Sequence, residues 1–437
     1  MSNGIVAIVG TPNVGKSTIF NRLIGERQAI VDDQAGVTRD RIYARAEWLT
    51  KEFSLIDTGG IEVADSPFQD AIRLQVEIAI AEADVIVFVT DGKLGLTADD
   101  QMVAKMLYQA KKPVILAVNK IDDGDLIFRI HEFYALGLGD PLPISSAHGI
   151  GIGDLLDKII ELLPEKKKRK TSEEDEIFFT VIGRPNVGKS SLVNALLNQE
   201  RVIVSQIPGT TRDAIDTPFT HNKQKYRVID TAGLVRRGKI YESVDRYALL
   251  RAMRAIERAD IVLLVLDGSE PLREQDKHVV GYAMDANKAI IIVVNKWDLV
   301  EKDHQTMNAY IANIRKEFKF LEYAPIVFLS ALTKRRIGEL FPLLEEVYAA
   351  YNSRIPTSLL NQVIQEAQVL NPAPYFNKGR LKIYYGSQTD VAPPTFVLFV
   401  NNPKFLHFSY KRFLENRLRE SFNLLGTPIK IICRERK

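Results

Sequence analysis

The sequence predicts an α/β protein: two P-loop domains in tandem, each a parallel sheet with helices on both faces, and a small α+β domain at the C-terminus. Three observations carry this. The spacing Gly, any four residues, Gly-Lys-Ser occurs twice, as GTPNVGKST from Gly10 and GRPNVGKSS from Gly183. Each loop lies between an apolar run fit for a buried parallel strand and a pattern with apolar residues three and four apart, fit for a helix. After Tyr351 the chain changes to shorter strand and helix patterns rich in basic residues.

The first strand of each repeat is GIVAIV or IFFTVI, and the loop follows at once. In the first repeat the loop is Gly10, Thr11, Pro12, Asn13, Val14, Gly15, Lys16 and Ser17; in the second it is Gly183, Arg184, Pro185, Asn186, Val187, Gly188, Lys189 and Ser190. Strand, Gly-rich turn and helix start gather backbone N–H groups around an anion at the positive end of the helix dipole. Lys16 and Lys189 are expected on the β- and γ-phosphates, and Ser17 and Ser190 on Mg²⁺. Downstream, GVTRD and GTTRD put Thr38 and Thr211 at 22 residues from the loop lysine. A threonine there can join the Mg²⁺ shell and touch the γ-phosphate. LIDTGG and VIDTAG put Asp57 and Asp230 at 41 residues, each read as ending an apolar strand and holding Mg²⁺. Thr58, Gly59, Gly60 and Ile61, and likewise Thr231, Ala232, Gly233 and Leu234, complete these segments, with Gly60 and Gly233 offering an N–H to the γ-phosphate.

The base is chosen farther on. ILAVNKID holds Asn119, Lys120 and Asp122, and IIVVNKWD holds Asn295, Lys296 and Asp298. Both close an apolar strand, where ligands gather in open α/β sheets. A carboxylate at Asp122 or Asp298 can accept from guanine N1–H and its exocyclic NH₂; adenine would leave that charge unpaired. ISSAHG and LSALT supply Ser146-Ala147 and Ser330-Ala331, whose N–H groups can face guanine O6. The ordered set, found twice, points to GTP and GDP.

Composition sets the outer limits. At 437 residues the chain suggests about three domains, and 46% hydrophobic residues are enough for full cores. A lone cysteine, Cys433, excludes an internal disulfide and fits a reducing compartment, so no disulfide partner is expected. The six histidines show no zinc-ligand spacing, and no apolar run reaches membrane-spanning length. The first strand begins too early to leave room for a signal peptide, so a cytoplasmic protein with no membrane partner is expected. The net charge of +3 is unevenly spread: from Asn352 onward there are 13 Lys and Arg against 5 Asp and Glu, leaving 45 against 50 elsewhere. That favours an anionic partner for the last segment, RNA first, with a merely solvated basic face as the alternative.

The expected divisions are a first domain over 1–163, a charged linker over 164–176 (PEKKKRKTSEEDE), a second domain over 177–351 and a basic domain over 352–437. The linker's basic run could touch RNA or simply be solvated. The last domain reads helix, strand, strand, helix, strand, from LLNQVIQEAQVL to PIKIICRER.

The set of loop, threonine, DTxG, NKxD and SA resembles the Ras-type, translation-factor-like GTPases. Two such domains followed by a small basic one resemble the Der/EngA family of bacterial ribosome-assembly GTPases, over essentially the whole chain. The resemblance implies Mg²⁺-dependent hydrolysis of GTP to GDP and phosphate. It also implies a part in assembly and stability of the large ribosomal subunit and its rRNA, and a KH-like last domain. Lys16, Thr38, Gly60, Lys189, Thr211 and Gly233 are then the residues expected to act in hydrolysis. Thr11 departs from the family's usual arginine, which Arg184 keeps. The Gly-x-x-Gly loop with which KH domains clamp RNA is missing, so docking against protein, the neighbouring repeat included, competes with RNA reading. Ile61 and Leu234 stand where many Ras-type GTPases carry a water-orienting glutamine, so hydrolysis needs help from elsewhere. In GTPases resembling these repeats, an asparagine at the position of Asn13 and Asn186 helps hold potassium against the phosphates; shaping the turn is the plainer role. A nucleotide-sensing scaffold, in which hydrolysis is incidental, is the alternative function.

Overall fold

The computed structural model describes residues 2–25, 43–49, 51–58, 68–122, 124–164, 176–199, 202–204, 216–230, 244–301, 303 and 305–436. The chain forms two compact units, residues 1–170 with 238–254 and residues 171–237 with 255–437. In the first, β1 (Ser2–Gly10), α1 (Lys16–Ile24), β2 (Tyr43–Trp48), β3 (Lys51–Asp57), α2 (Phe68–Glu82), β4 (Val85–Asp91), α3 (Ala98–Ala110), β5 (Val114–Asn119), β6 (Leu142–Pro143) and α4 (Ile152–Leu162) follow in order. The sheet order is β2-β3-β1-β4-β5-β6. β4 is buried along its whole length, as a central strand covered on both faces must be. One face carries Ile19, Phe20 and Leu23 of α1 and Leu155, Leu156 and Ile159 of α4.

The second unit repeats the plan. The elements of the second repeat are β7 (Glu176–Ile182), α5 (Lys189–Leu197), β8 (Val202–Val204), β9 (Thr217–His221), β10 (Gln224–Val228), α6 (Val244–Arg258, of which residues 244–254 belong to the first unit), β11 (Ile261–Asp267), α7 (Glu274–Asp285), β12 (Ala289–Asn295), α8 (Thr306–Glu317), β13 (Ile326–Phe328) and α9 (Leu340–Tyr351). The order is β13-β12-β11-β7-β10-β9-β8. One cluster joins the sheet to Leu192 and Leu196 of α5 and Phe341 and Leu344 of α9; another joins its opposite face to Val280 of α7 and Ile314 of α8.

Two expectations change in detail. The sheets are not wholly parallel: β2 pairs with β3, and β10 with β9, in antiparallel fashion. The β9–β10 turn places Asn222 and Lys223 at φ 49° and 72°, the geometry that suits a tight hairpin. Glu176 belongs to β7 rather than to a linker, because its carboxylate takes two bonds from Arg227, at 3.1 and 3.0 Å. The basic run at 166–170 lies outside the described residues.

The C-terminal segment continues with α10 (Thr357–Leu370), a hairpin of β14 (Tyr375–Phe376) and β15 (Gly379–Arg380), β16 (Ile383–Asp390), β17 (Thr395–Val400), α11 (Phe408–Ser421) and β18 (Lys430–Glu435). β17 is central, antiparallel to β16 and parallel to β18. The small hairpin is an addition to the expected order. This segment shares backbone bonds with the second repeat: Ile290 N–H donates to Gly426 O at 2.8 Å, and Gly426 N–H to Tyr323 O at 2.9 Å. The Arg419 guanidinium lies 4.5 Å from the Tyr323 ring centroid. No helix among the described residues is long and apolar enough to cross a membrane.

Candidate functional site

Each phosphate loop leaves its central strand at a glycine that no other residue can replace. A Cβ on Gly10 would lie 2.3 Å from Val89 O, and one on Gly183 2.5 Å from Val265 O. The second glycines, Gly15 and Gly188, have φ 97° and 96°, and a Cβ there would meet Asn119 Nδ2 at 2.4 Å or Asn295 Nδ2 at 2.2 Å. The loops therefore run hard against the strands that carry the base-reading motifs. Val14 and Val187 are buried beneath them, Pro12, Asn13, Pro185 and Asn186 are exposed, and both asparagines sit in the left-handed region at φ 65° and 66°. That conformation is the turn-shaping role of asparagine.

Lys16 Nζ donates to Gly10 O and Thr11 O at 2.8 and 2.9 Å, and Lys189 Nζ to Gly183 O and Arg184 O at 2.7 Å each. The ammonium group is thus fixed across its own loop at the start of α1 or α5. Burial pushes the Lys16 pKa down, and the Asp57 carboxylate works against that fall. Ser17 Oγ donates to Asp57 Oδ2 at 2.8 Å, which brings together two expected Mg²⁺ ligands 40 residues apart in sequence. Thr58, next to them, donates to Ile8 O and so ties β3 to β1.

The second repeat differs here. Ser190 keeps its place at the start of α5, but β10 ends at Val228. Asp230, read from sequence as ending a strand, lies in a turn at φ 58°, where its N–H donates to Asp216 Oδ1 at 3.1 Å. Asp216 is in turn paired with Arg258, and that pairing holds the turn. Thr38, Gly59, Gly60 and Ile61, and Thr211, Thr231, Ala232, Gly233 and Leu234, lie outside the described residues.

The base-reading side is nearly the same in both repeats. Asn119 Nδ2 donates to Val14 O at 2.7 Å, and its Oδ1 accepts from Ser146 N–H at 2.9 Å. Asn295 makes the matching bonds to Val187 O and Ala331 N–H, both at 2.9 Å. One buried amide therefore clamps the phosphate loop to the base loop. Lys120 and Lys296, at φ 67° and 59°, donate to Asp91 Oδ2 and Asp267 Oδ2 at 2.6 Å each. These bonds also correct the sequence alignment of the base loops. Ser145 N–H donates to Ile150 O as Ser330 N–H does to Arg335 O. Ser145-Ser146, not Ser146-Ala147, is therefore the counterpart of Ser330-Ala331; the letters SA fall on different steps of one turn.

Several contributing residues were not legible as such. Asp91 and Asp267 end strands beside the asparagines, in register with Asn119 and Asn295; the TDG and LDG endings were their only sequence signal. Ser145 Oγ donates to Asp122 Oδ1 at 2.7 Å, and Lys93 Nζ to Asp122 Oδ2 at 2.6 Å. Lys93 and then Ser145, by these bonds, draw the Asp122 carboxyl below the ordinary aspartate value, against a smaller effect of desolvation. Arg22 donates to Ser146 O and Ala147 O at 3.2 and 2.6 Å, a brace from α1 that Ala195 cannot supply in the second repeat. In the second repeat Asp298 Oδ1 is buried with no hydrogen-bond partner among the described residues.

Residues 5–120 and 178–296 match the family model described as 50S ribosome-binding GTPase, and residues 354–434 match KH-domain-like of EngA bacterial GTPase enzymes, C-terminal. The chain is 58% identical over 436 residues to GTPase Der of Bacillus cytotoxicus and 59% identical over 436 residues to GTPase Der of Bacillus thuringiensis, each comparison covering 100% of both chains. Identity along the full length, two matched GTPase regions and a KH-like last segment place the chain in the Der (EngA) family of GTPases, whose activity is hydrolysis of GTP.

Proposed function

We propose that the chain hydrolyses GTP at two differently regulated sites and, through them, times its binding to the large ribosomal subunit during assembly, in the cytoplasm. The duplicated asparagine clamp and guanine-reading aspartates support the nucleotide part of this reading. The family's description as 50S ribosome-binding supports the partner. So does the last segment, where Tyr375, Phe376 and Phe408 are exposed near Lys378 and Arg380, a mixture suited to stacking on bases and pairing with phosphates. Division at 163, 177 and 352 into two GTPase domains and a KH-like domain is part of the same reading.

The residues present fit a hard divalent cation, since the Ser17 hydroxyl and the Asp57 carboxylate meet at 2.8 Å. Ser17, Asp57 and Thr38, with Ser190, Asp230 and Thr211 in the second repeat, would hold Mg²⁺. Bound there, the ion would neutralise charge on the β- and γ-phosphates. Lys16 and Lys189 place a fixed ammonium on the same phosphates, and Gly60 and Gly233 orient the γ-phosphate through backbone N–H groups. With Ile61 and Leu234 unable to orient water, Asn13 and Asn186 are proposed to help hold potassium as the missing positive charge. Potassium should then accelerate turnover well beyond sodium at equal ionic strength, and Asn13→Ala or Asn186→Ala should erase that gain in its own repeat. Equal rates in the two salts would remove the ion from the scheme.

Sedimentation with 50S particles under a GTP analogue, GDP and no nucleotide tests the main reading, together with turnover with and without particles. Nucleotide-independent association and unchanged turnover would favour the scaffold reading. Truncating the tail would strip Gly426 from the second repeat. Charge reversal at Lys378 and Arg380 is therefore the cleaner test of docking, with the loss expected to be greatest at low salt.

A further inference from the structure

We infer that Lys93 sets the nucleotide affinity of the first repeat by holding its base-reading carboxylate in an ion pair that the second repeat lacks. The inference rests on Asp122 reading guanine. Lys93 Nζ lies 2.6 Å from Asp122 Oδ2, Ser145 Oγ occupies Oδ1, and His148 Nε2 stands 4.0 Å from the same oxygen. Lys93 is not a loose surface lysine at its backbone. Its N–H donates to Asp91 Oδ1 at 2.9 Å, and its carbonyl accepts from Arg129 Nη1 at 3.0 Å. The aspartate that pairs with Lys120 thereby also aims Lys93 at Asp122.

The counterpart in the second repeat is Ser269, two residues beyond Asp267 as Lys93 is beyond Asp91. Its N–H and Oγ both turn back to Asp267 Oδ1, at 3.0 and 2.6 Å, away from the base-reading aspartate. Ser330 Oγ, the counterpart of Ser145, accepts from Thr333 N–H as Ser145 Oγ does from His148 N–H, but only Ser145 also donates to its base-side aspartate. Asp298 Oδ1 is left with no partner among the described residues.

Guanine must place two N–H donors on such a carboxylate. In the second repeat they meet a carboxylate that no cation engages among the described residues. In the first they meet oxygens already engaged by an ammonium and a hydroxyl, and each donor gains less, whether the lysine leaves or stays. Because the Lys93 side chain is 53% exposed, the ammonium recovers most of its solvation when it leaves, so the effect is moderate and screened by salt.

The experiment uses the full chain with one repeat closed to guanine at a time. With Asp298→Asn closing the second repeat, Lys93→Met should tighten fluorescent GDP binding about threefold, mostly through faster association. The gain should shrink as salt rises. Lys93→Arg should bind as the parent does. In the reverse background, with Asp122→Asn closing the first repeat, Ser269→Lys should weaken GDP binding by a similar factor. Equal or weaker binding in Lys93→Met at low salt would overturn the inference. Failure of the guanine reading would look different: Asp122→Asn would then keep its preference for GDP over XDP, whatever residue stands at position 93.

Discussion

The two phosphate loops present the same backbone to the nucleotide but are anchored from behind in opposite ways. In the second repeat Arg184 is buried, its Nε reaching both oxygens of Asp276 at 3.0 and 3.1 Å and its Nη1 reaching Glu270 at 2.8 Å. Burial opposes that charge, but Glu270 and Asp276 outweigh it and hold the guanidinium pKa above its ordinary value. Asp276 also accepts Arg273 N–H at the start of α7, so the loop is tied to a helix end. In the first repeat the matching positions are Thr11, Leu94, Thr97 and Asp100. Asp100 still caps α3 through Thr97, yet its Oδ1 is buried without a partner among the described residues. The two repeats share the loop and the asparagine clamp and differ in the wall behind them. The arginine that anchors one loop is absent from the other, while the carboxylate it would pair with remains.

The comparison can be broken most forcefully at the base. Asp122→Asn and Asp298→Asn should each weaken GDP binding in their own repeat by on the order of 100-fold and favour xanthosine nucleotides. Titration of each mutant with fluorescent GDP and XDP measures this, and unchanged GDP affinity in either repeat would remove that aspartate from the site. Next comes the anchor. Arg184→Ala leaves Asp276 charged and buried, and should cost the second repeat about 3 kcal/mol, whereas Thr11→Ala should cost the first within about 0.5 kcal/mol. The two tryptophans separate the readings, since Trp48 lies in β2 and Trp297 follows β12. Urea unfolding of Trp48→Phe and Trp297→Phe chains reports each repeat alone.

Asp100 sharpens the same comparison through pH. Burial raises its pKa in the folded chain above the ordinary 3.8, so the folded state keeps a proton that the unfolded chain has released. Stability from that proton is full below pH 3.8 and is lost as pH rises through the folded value. Asp100→Asn keeps an acceptor for Thr97 and carries no charge. It should gain about 1 kcal/mol over the parent at pH 7, and the gain should vanish below the ordinary aspartate value. A constant difference across pH, followed by Trp48, would mean that the carboxyl is ionised at no cost. An effect of similar size is expected where the tail meets the second repeat. Gly426, at φ 67°, would put a Cβ 2.8 Å from Val347 Cγ2. Gly426→Ala should therefore cost about 1 kcal/mol in the Trp297 transition and nothing in that of Trp48.

How much could be read in advance follows from what each feature depends on. The phosphate loops and the Asn-Lys-x-Asp segments were legible as motifs because each is local: a glycine, lysine or carboxylate at fixed spacing near the end of a strand. Lys93, Asp91 and Ser145 were not, because their importance arises only where separate strands end side by side. Asp91 gains its role from lying in register with Asn119. Lys93 gains its own from the turn that follows Asp91. The one-residue error at Ser146-Ala147 has a related origin, since sequence letters repeat while hydrogen-bond registers must be seen. The antiparallel β2 and β9 depend on hairpin turns whose left-handed residues, Leu49 in one and Asn222 and Lys223 in the other, do not stand out in sequence.

Sequence alone determined the motifs of this protein: two phosphate loops, two Asn-Lys-x-Asp segments and a basic tail with a different pattern. Those features survive in letters because they are set by residue type and spacing, and the backbone conformation they need is supplied by glycine or by the end of a strand. Only the tertiary structure decided how the two sites differ. Whether Asp276 is paired and Asp100 is not, or Asp122 is engaged and Asp298 is open, depends on which distant side chains are brought within about 3 Å, where a buried charge is either compensated or left costly.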